Sequence, residues 1–161
     1  MIKLSNNKKG FTLIELLAVI VILAILVMLA IPMVTRYLTQ ARKGTYVDNA
    51  REAINAVRND IVTQGFSSNG GGTFTPGTSP KVVYSKDQIN KLLEKQLTTS
   101  PFGPDYSTGS YIIVTPTNDN TYKYEICLTD TGKNGIELTE ENNLKDDDVK
   151  IGNATECTTP S

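Results

Sequence analysis

"KKGFTLIELLAVIVILAILVMLAIP", residues 8–32, places a single acid, Glu15, near the start of an otherwise apolar run. From Leu16 to Ile31 every residue is apolar. Counted from Phe11, the run is 21 residues long and interrupted only by Thr12 and Glu15. A helix of that length rises roughly 31 Å, about the thickness of the hydrocarbon core of a bilayer. A carboxylate inside such a segment is costly and as a rule has a partner. The segment is too long for the apolar part of a secretory signal peptide, and Ile31-Pro32-Met33-Val34 is a poor cleavage site of that kind. The run is therefore expected to remain in the mature chain.

Outward from this stretch, the rest of the chain is less apolar. Hydrophobic residues make up 39% of the 161 overall. Lys3, Lys8 and Lys9 precede the run, while Arg36, Arg42 and Lys43 follow it. The short basic leader favours a cytoplasmic N-terminus, with the bulk of the chain on the far side. The formal net charge is −1, and without the three lysines of the first ten residues it is −4. That balance argues against a nucleic-acid-binding surface.

Helical periodicity continues past Pro32. Val34, Leu38, Ala41, Val47, Ala50, Ile54, Val57 and Ile61 recur mostly at spacings of three or four, which is one apolar stripe. Gly65 is a natural stop. A continuous helix from Phe11 to about Thr63 would be roughly 80 Å long, apolar all round in its first half and amphipathic in its second. Pro32 is expected to loosen or kink it, and Gly44 is a second weak point. Residues 65–80, "GFSSNGGGTFTPGTSP", read as a loop. "SKDQINKLLEKQL" reads as a short helix opened by a capping box at Ser85 and Gln88. "SPFGPDYSTG" is turn chemistry.

"SYIIVT" and "TYKYEICLT" are strand candidates joined by "PTNDN", with Tyr111, Ile113, Tyr122, Tyr124 and Ile126 supplying the alternation. "GIELT" and "VKIG" are weaker third and fourth strands. An α+β fold follows: a long N-terminal helix with a small antiparallel sheet against its second half.

Cys127 and Cys157 suit a disulfide in an exported domain. The bridge would close a loop of about thirty residues. The chain has no histidine, which excludes Ser-His-Asp and Cys-His catalysis and leaves the cysteines a poor zinc site. No phosphate-loop motif occurs. Glu140-Glu141 and Asp146-Asp147-Asp148 read as a solvated surface, with calcium as the alternative. "NAT" at 153–155 matches a glycosylation sequon. Nothing points to catalysis, a cofactor or a resident metal.

"KKGFTLIELL" resembles the N-terminal signature of type IV pilins and the related pseudopilins: a short basic leader, Gly, Phe, Thr, Leu, an aliphatic residue, Glu, then a long apolar run. The resemblance is close over residues 8–32 and says little about residues 65–161. The ten-residue leader and low basicity resemble those of Gram-positive pilins. The resemblance implies that a prepilin peptidase cuts after Gly10 and methylates the new N-terminus at Phe11. It implies that Glu15 pairs with the Phe11 amine of a neighbouring subunit, and that Pro32 takes part in assembly. In that scheme residues 1–10 are a cleaved leader, 11–31 the transmembrane and polymerisation half of the helix, 32–64 its amphipathic half, and 65–161 an exported β-sheet domain.

The implied partners are identical subunits in a helical filament, the peptidase, and a pilus assembly platform with its ATPase. The location would be a single-pass cell membrane first and a surface pilus afterwards, serving adhesion, motility or biofilm. One departure from the family pattern concerns the apolar helix, which has Ala18, Ala24 and Ala30 where many members carry a glycine. "SPFGPDYSTGSYIIV" is loosely similar to the turn of secretion or competence pseudopilins, which is the competing reading. A membrane-anchored binding module that never polymerises is a third.

Overall fold

The computed structural model describes residues 10–66, 71–75, 80–117 and 121–160. The leader ahead of Gly10, parts of the loop after the long helix, and the last three residues of "PTNDN" lie outside the described residues. The chain divides into two compact units, one reaching Thr39 and the other running from Gln40. One helix, α1 (Leu13–Gln64), contributes to both, and it continues as α-helix through Pro32 and Gly44. Pro32 has no N–H, so the carbonyl of Met28 lacks its usual helical donor. At its far end the N–H of Gly65 donates to the carbonyl of Ile61 at 2.9 Å. Gly65 itself has φ +81°, the left-handed cap that a side chain would strain.

The second unit is a six-stranded antiparallel sheet in simple chain order: β1 (Thr73–Thr75), β2 (Lys81–Ser85), β3 (Tyr111–Pro116), β4 (Tyr122–Thr129), β5 (Gly135–Glu140) and β6 (Val149–Lys150). Its inner face lies on the second half of α1. Tyr46, Val47, Ala50, Ala53, Ile54, Val57 and Ile61 from the helix meet Val82, Tyr84, Ile112, Val114, Tyr124, Ile126, Leu128 and Ile136 from the strands in one buried cluster. The stripe expected from periodicity therefore starts later. Val34 and Leu38 are half exposed and Ala41 is exposed, while Tyr46 and Ala53, outside that stripe, are fully buried.

The structure differs from the sequence reading at four places. β1 falls inside the stretch expected to be loop. The next strand, "KVVYS", was not anticipated, because a Gly/Pro-rich segment precedes it and a helix follows at once. The short helix α2 (Lys86–Leu92) stops well before Leu97. Its start keeps half of the expected box, the Ser85 N–H donating to Gln88 Oε1 at 2.8 Å. Past its end, Asn90 Oδ1 takes the Leu97 N–H at 2.7 Å and turns the chain. Finally, Tyr111 and Ile113 do not share a face with Tyr124 and Ile126. Tyr111 pairs with Cys127 and Ile113 with Glu125, so Ile112 and Val114 are the β3 residues that face the helix.

The outer face carries a smaller cluster of Val83, Tyr111, Cys127 and Cys157. A disulfide joins Cys127 on β4 to Cys157, with Cα atoms 5.8 Å apart. It pins residues 151–160 as a strap. Backbone N–H groups of the strap reach Asn134 Oδ1, the Lys133 carbonyl, Glu137 Oε1 and Thr129 Oγ1 at 2.9–3.2 Å, from Gly152, Ala154, Thr155 and Cys157 respectively. The strap runs so close to Gly109 that a Cβ there would lie 2.0 Å from the Cys157 carbonyl oxygen.

Burial of polar groups in this unit is balanced by bonding. Asp130, 2% exposed, accepts from Ser100 Oγ, the N–H groups of Gly132 and Asn134, and the Asn134 amide, at 2.6–3.0 Å. The Tyr46 hydroxyl lies 3.2 Å from the carbonyl oxygens of both Leu128 and Asn134. Burial raises the Tyr46 phenol above its ordinary value and pushes Tyr106 up to about 12, so both stay protonated at any physiological pH.

Candidate processing and assembly segment

Residues 10–36 hold every site residue expected from sequence except the cysteines. Gly10 and Phe11 precede the helix. A Cβ placed on Gly10 would meet nothing within 4 Å, and Phe11 is 92% exposed. Among the described residues nothing packs against Gly10, and the backbone there is not yet helical. α1 begins at Leu13, with Thr12 in the N-cap position. The Thr12 carbonyl accepts the first helical bond, from the Leu16 N–H at 3.2 Å.

Glu15 has an immediate partner inside its own chain. Its Oε2 accepts from both the backbone N–H and the hydroxyl of Thr12, each at 2.8 Å. The Glu15 N–H returns a bond to Thr12 Oγ1 at 3.3 Å. This is a reciprocal capping box: Thr at the cap and Glu three residues on satisfy each other's loose backbone donors. Its sign was present in the sequence as Thr-x-x-Glu, and Thr12 is the residue that sequence reasoning passed over. The carboxylate also sits over the N-terminal turn, where unpaired N–H groups favour negative charge.

Beyond Glu15 the side chains have no cover. Every residue from Leu16 to Leu38 is exposed, the large apolar ones by half or more. This is the one helix among the described residues long and apolar enough to cross a membrane. Pro32 sits at the end of that stretch, and one turn on Thr35 Oγ1 donates to the Ile31 carbonyl at 2.9 Å. Cys127 and Cys157 lie in the other unit and take no part in this segment.

Residues 5–31 match the family model of the prokaryotic N-terminal methylation motif. This is the type IV prepilin signature. It covers the apolar start of the chain and none of the sheet. Neither a curated protein nor a solved structure matches the chain. The signature explains why a helix so poorly suited to water is joined to a well-packed domain. It points to a structural protein rather than an enzyme, and to a chain handled by prepilin-processing machinery.

Four of the five acids considered for calcium have partners within the chain. Glu141 pairs with Arg58, and Glu140 with Lys123 at 2.6 Å. Asp146 accepts from Gln40 and Asp148 from the Lys145 N–H. Among the described residues no three acids, histidines or cysteines converge as a metal site.

Proposed function

We propose that this chain is the structural subunit of a type IV pilus. A prepilin peptidase cuts after Gly10 and methylates Phe11, and the mature chain polymerises through residues 11–31 while residues 65–161 face outward. The observation that carries this reading is the prepilin signature lying on an apolar helix with no cover of its own. Such a helix is stable in lipid or against other helices of its kind, and a filament core supplies the second environment. The membrane holds the subunit before assembly, with its N-terminus cytoplasmic; an assembly platform and ATPase extract it; the surface filament then serves adhesion, motility or biofilm.

Glu15 acts in assembly as a partner that can be exchanged. In the precursor its carboxylate is satisfied by Thr12. Cleavage creates a cationic amine on Phe11, and the amine of an adjoining subunit then neutralises Glu15 and sets the axial step between subunits. Glu15→Ala should leave cleavage intact and cut the yield of filaments sharply. The readout is sheared surface protein against membrane-held protein.

Mass spectrometry of the N-terminal peptide from sheared surface material tests the whole scheme. A chain beginning at methylated Phe11 in a high-molecular-weight fraction supports it. A processed chain confined to the membrane favours a pseudopilin, and an uncut chain found there overturns both in favour of an anchored binding module.

A further inference from the structure

The domain carries a half-open cavity of about 400 Å³ at the edge of the inner face. That volume falls within the range of small-ligand sites. Its walls include Arg58 from α1, Thr117 and Thr121 between β3 and β4, Tyr122 to Tyr124 at the start of β4, Glu140 at the end of β5, and Glu141 and Asn142 just past it. Two features set its chemistry. The first is an aromatic wall held in place from behind. The Tyr122 ring stacks on Phe66 with centroids 5.4 Å apart and planes 23° from parallel, yet Tyr122 stays 38% exposed.

The second is charge that is largely paired within the wall. Arg58 donates to both carboxylate oxygens of Glu141 and lies 4.9 Å over the Tyr124 ring. Lys123 bridges Glu125 at 3.0 Å and Glu140 at 2.6 Å, so carboxylates outnumber cations here. An anionic ligand would have to displace one of these carboxylates from its cation and leave a charge without its partner. A neutral ligand rich in hydroxyls would not. Its O–H groups can donate to the spare lone pairs of Glu140 and Glu141, and its oxygens can accept from the Asn142 amide. The electropositive C–H face of a pyranose ring suits the electron-rich face of Tyr122.

We propose that this cavity binds a neutral saccharide, with Tyr122 as the stacking platform and Glu140, Glu141 and Asn142 reading its hydroxyls. The site lies wholly within the sheet-bearing unit and does not depend on polymerisation.

The test uses the full chain in lauryl dimethylamine oxide, a detergent with no sugar headgroup, on an array of neutral, sialylated and sulfated glycans. Saturation-transfer NMR with the best neutral glycan follows. Retention of neutral glycans is expected. Tyr122→Ala should weaken binding about tenfold or more, Asn142→Ala at the exposed rim should also weaken it, and Tyr122→Phe should retain it. Tyr37→Ala, at an exposed tyrosine far along the sequence, should have no effect. Absence of binding to any glycan overturns the proposal. So does binding confined to sialylated or sulfated glycans, or neutral binding indifferent to both Tyr122→Ala and Asn142→Ala.

Discussion

The capping box at Thr12 and Glu15 fixes where the helix begins, two residues past an exposed Phe11. Thr12→Ala removes both the cap acceptor and one of the two donors to Glu15. A lost N-cap of this type costs about 0.5–2 kcal/mol of local helix stability. Faster amide exchange at Leu13–Leu16, with unchanged exchange beyond residue 40, is the expected result in detergent.

Glu137 is a second residue with a readable consequence. A hydrogen bond from Lys150, then bonds from Thr155, lower its carboxyl to about 2. The folded form therefore holds its charge more firmly than the unfolded form, whose carboxyl titrates near the ordinary value of 4.5. The stabilisation is present above that ordinary value and is lost as pH falls through about 2. Thermal unfolding between pH 5 and 2 should show a falling Tm, and Glu137→Gln should flatten the fall.

At the scale of elements, the helix shows what a sequence can and cannot reveal. The positions of apolar residues were legible, and so were the helix, the hairpin of β3 and β4, and the weaker strands after it. What periodicity lacks is knowledge of the partner. Val34 and Leu38 continue the apolar stripe but meet nothing, whereas Tyr46 is buried because backbone carbonyls wait for its hydroxyl. Alternation misled in the same way at β3, where apolar residues occupy both faces and only the strand pairing decides which face meets the helix. β2 is too short and too closely flanked by turn and helix to announce itself. In the site, the prepilin signature was readable, and Thr-x-x-Glu already carried the sign of the cap that the hydrogen bonds at Thr12 complete.

Close packing of α1 against the sheet gives another expectation. Ala50 and Ala53 are fully buried. A larger side chain at such a position forces neighbours from their rotamers, at about 1–3 kcal/mol. Ala53→Leu should lower the denaturation midpoint of the domain while leaving membrane insertion unchanged, as followed by the near-ultraviolet tyrosine signal.

At the scale of the molecule, two kinds of stability coexist in one chain. The sheet unit has a buried core and a disulfide; the apolar segment has neither. Closing a loop of about thirty residues contributes roughly 3–4 kcal/mol in the chain-entropy model. Cys157→Ser should lower the Tm of the sheet unit accordingly and expose the strap to proteolysis, with little effect on the helix before Thr39. Differential scanning calorimetry with limited proteolysis checks both halves of that expectation.

The sheet has the strand order of the chain itself. A polypeptide made from its N-terminus onward presents α1 first, then each strand beside the one that preceded it. Four of the five pairings are short in sequence, which favours rapid folding; β2 and β3 are set apart by residues 86–110. The strap is the other distant partner. Cys157 follows all six strands, so the covalent lock can close only once every strand has been made. The bridge is the last tie available to the growing chain.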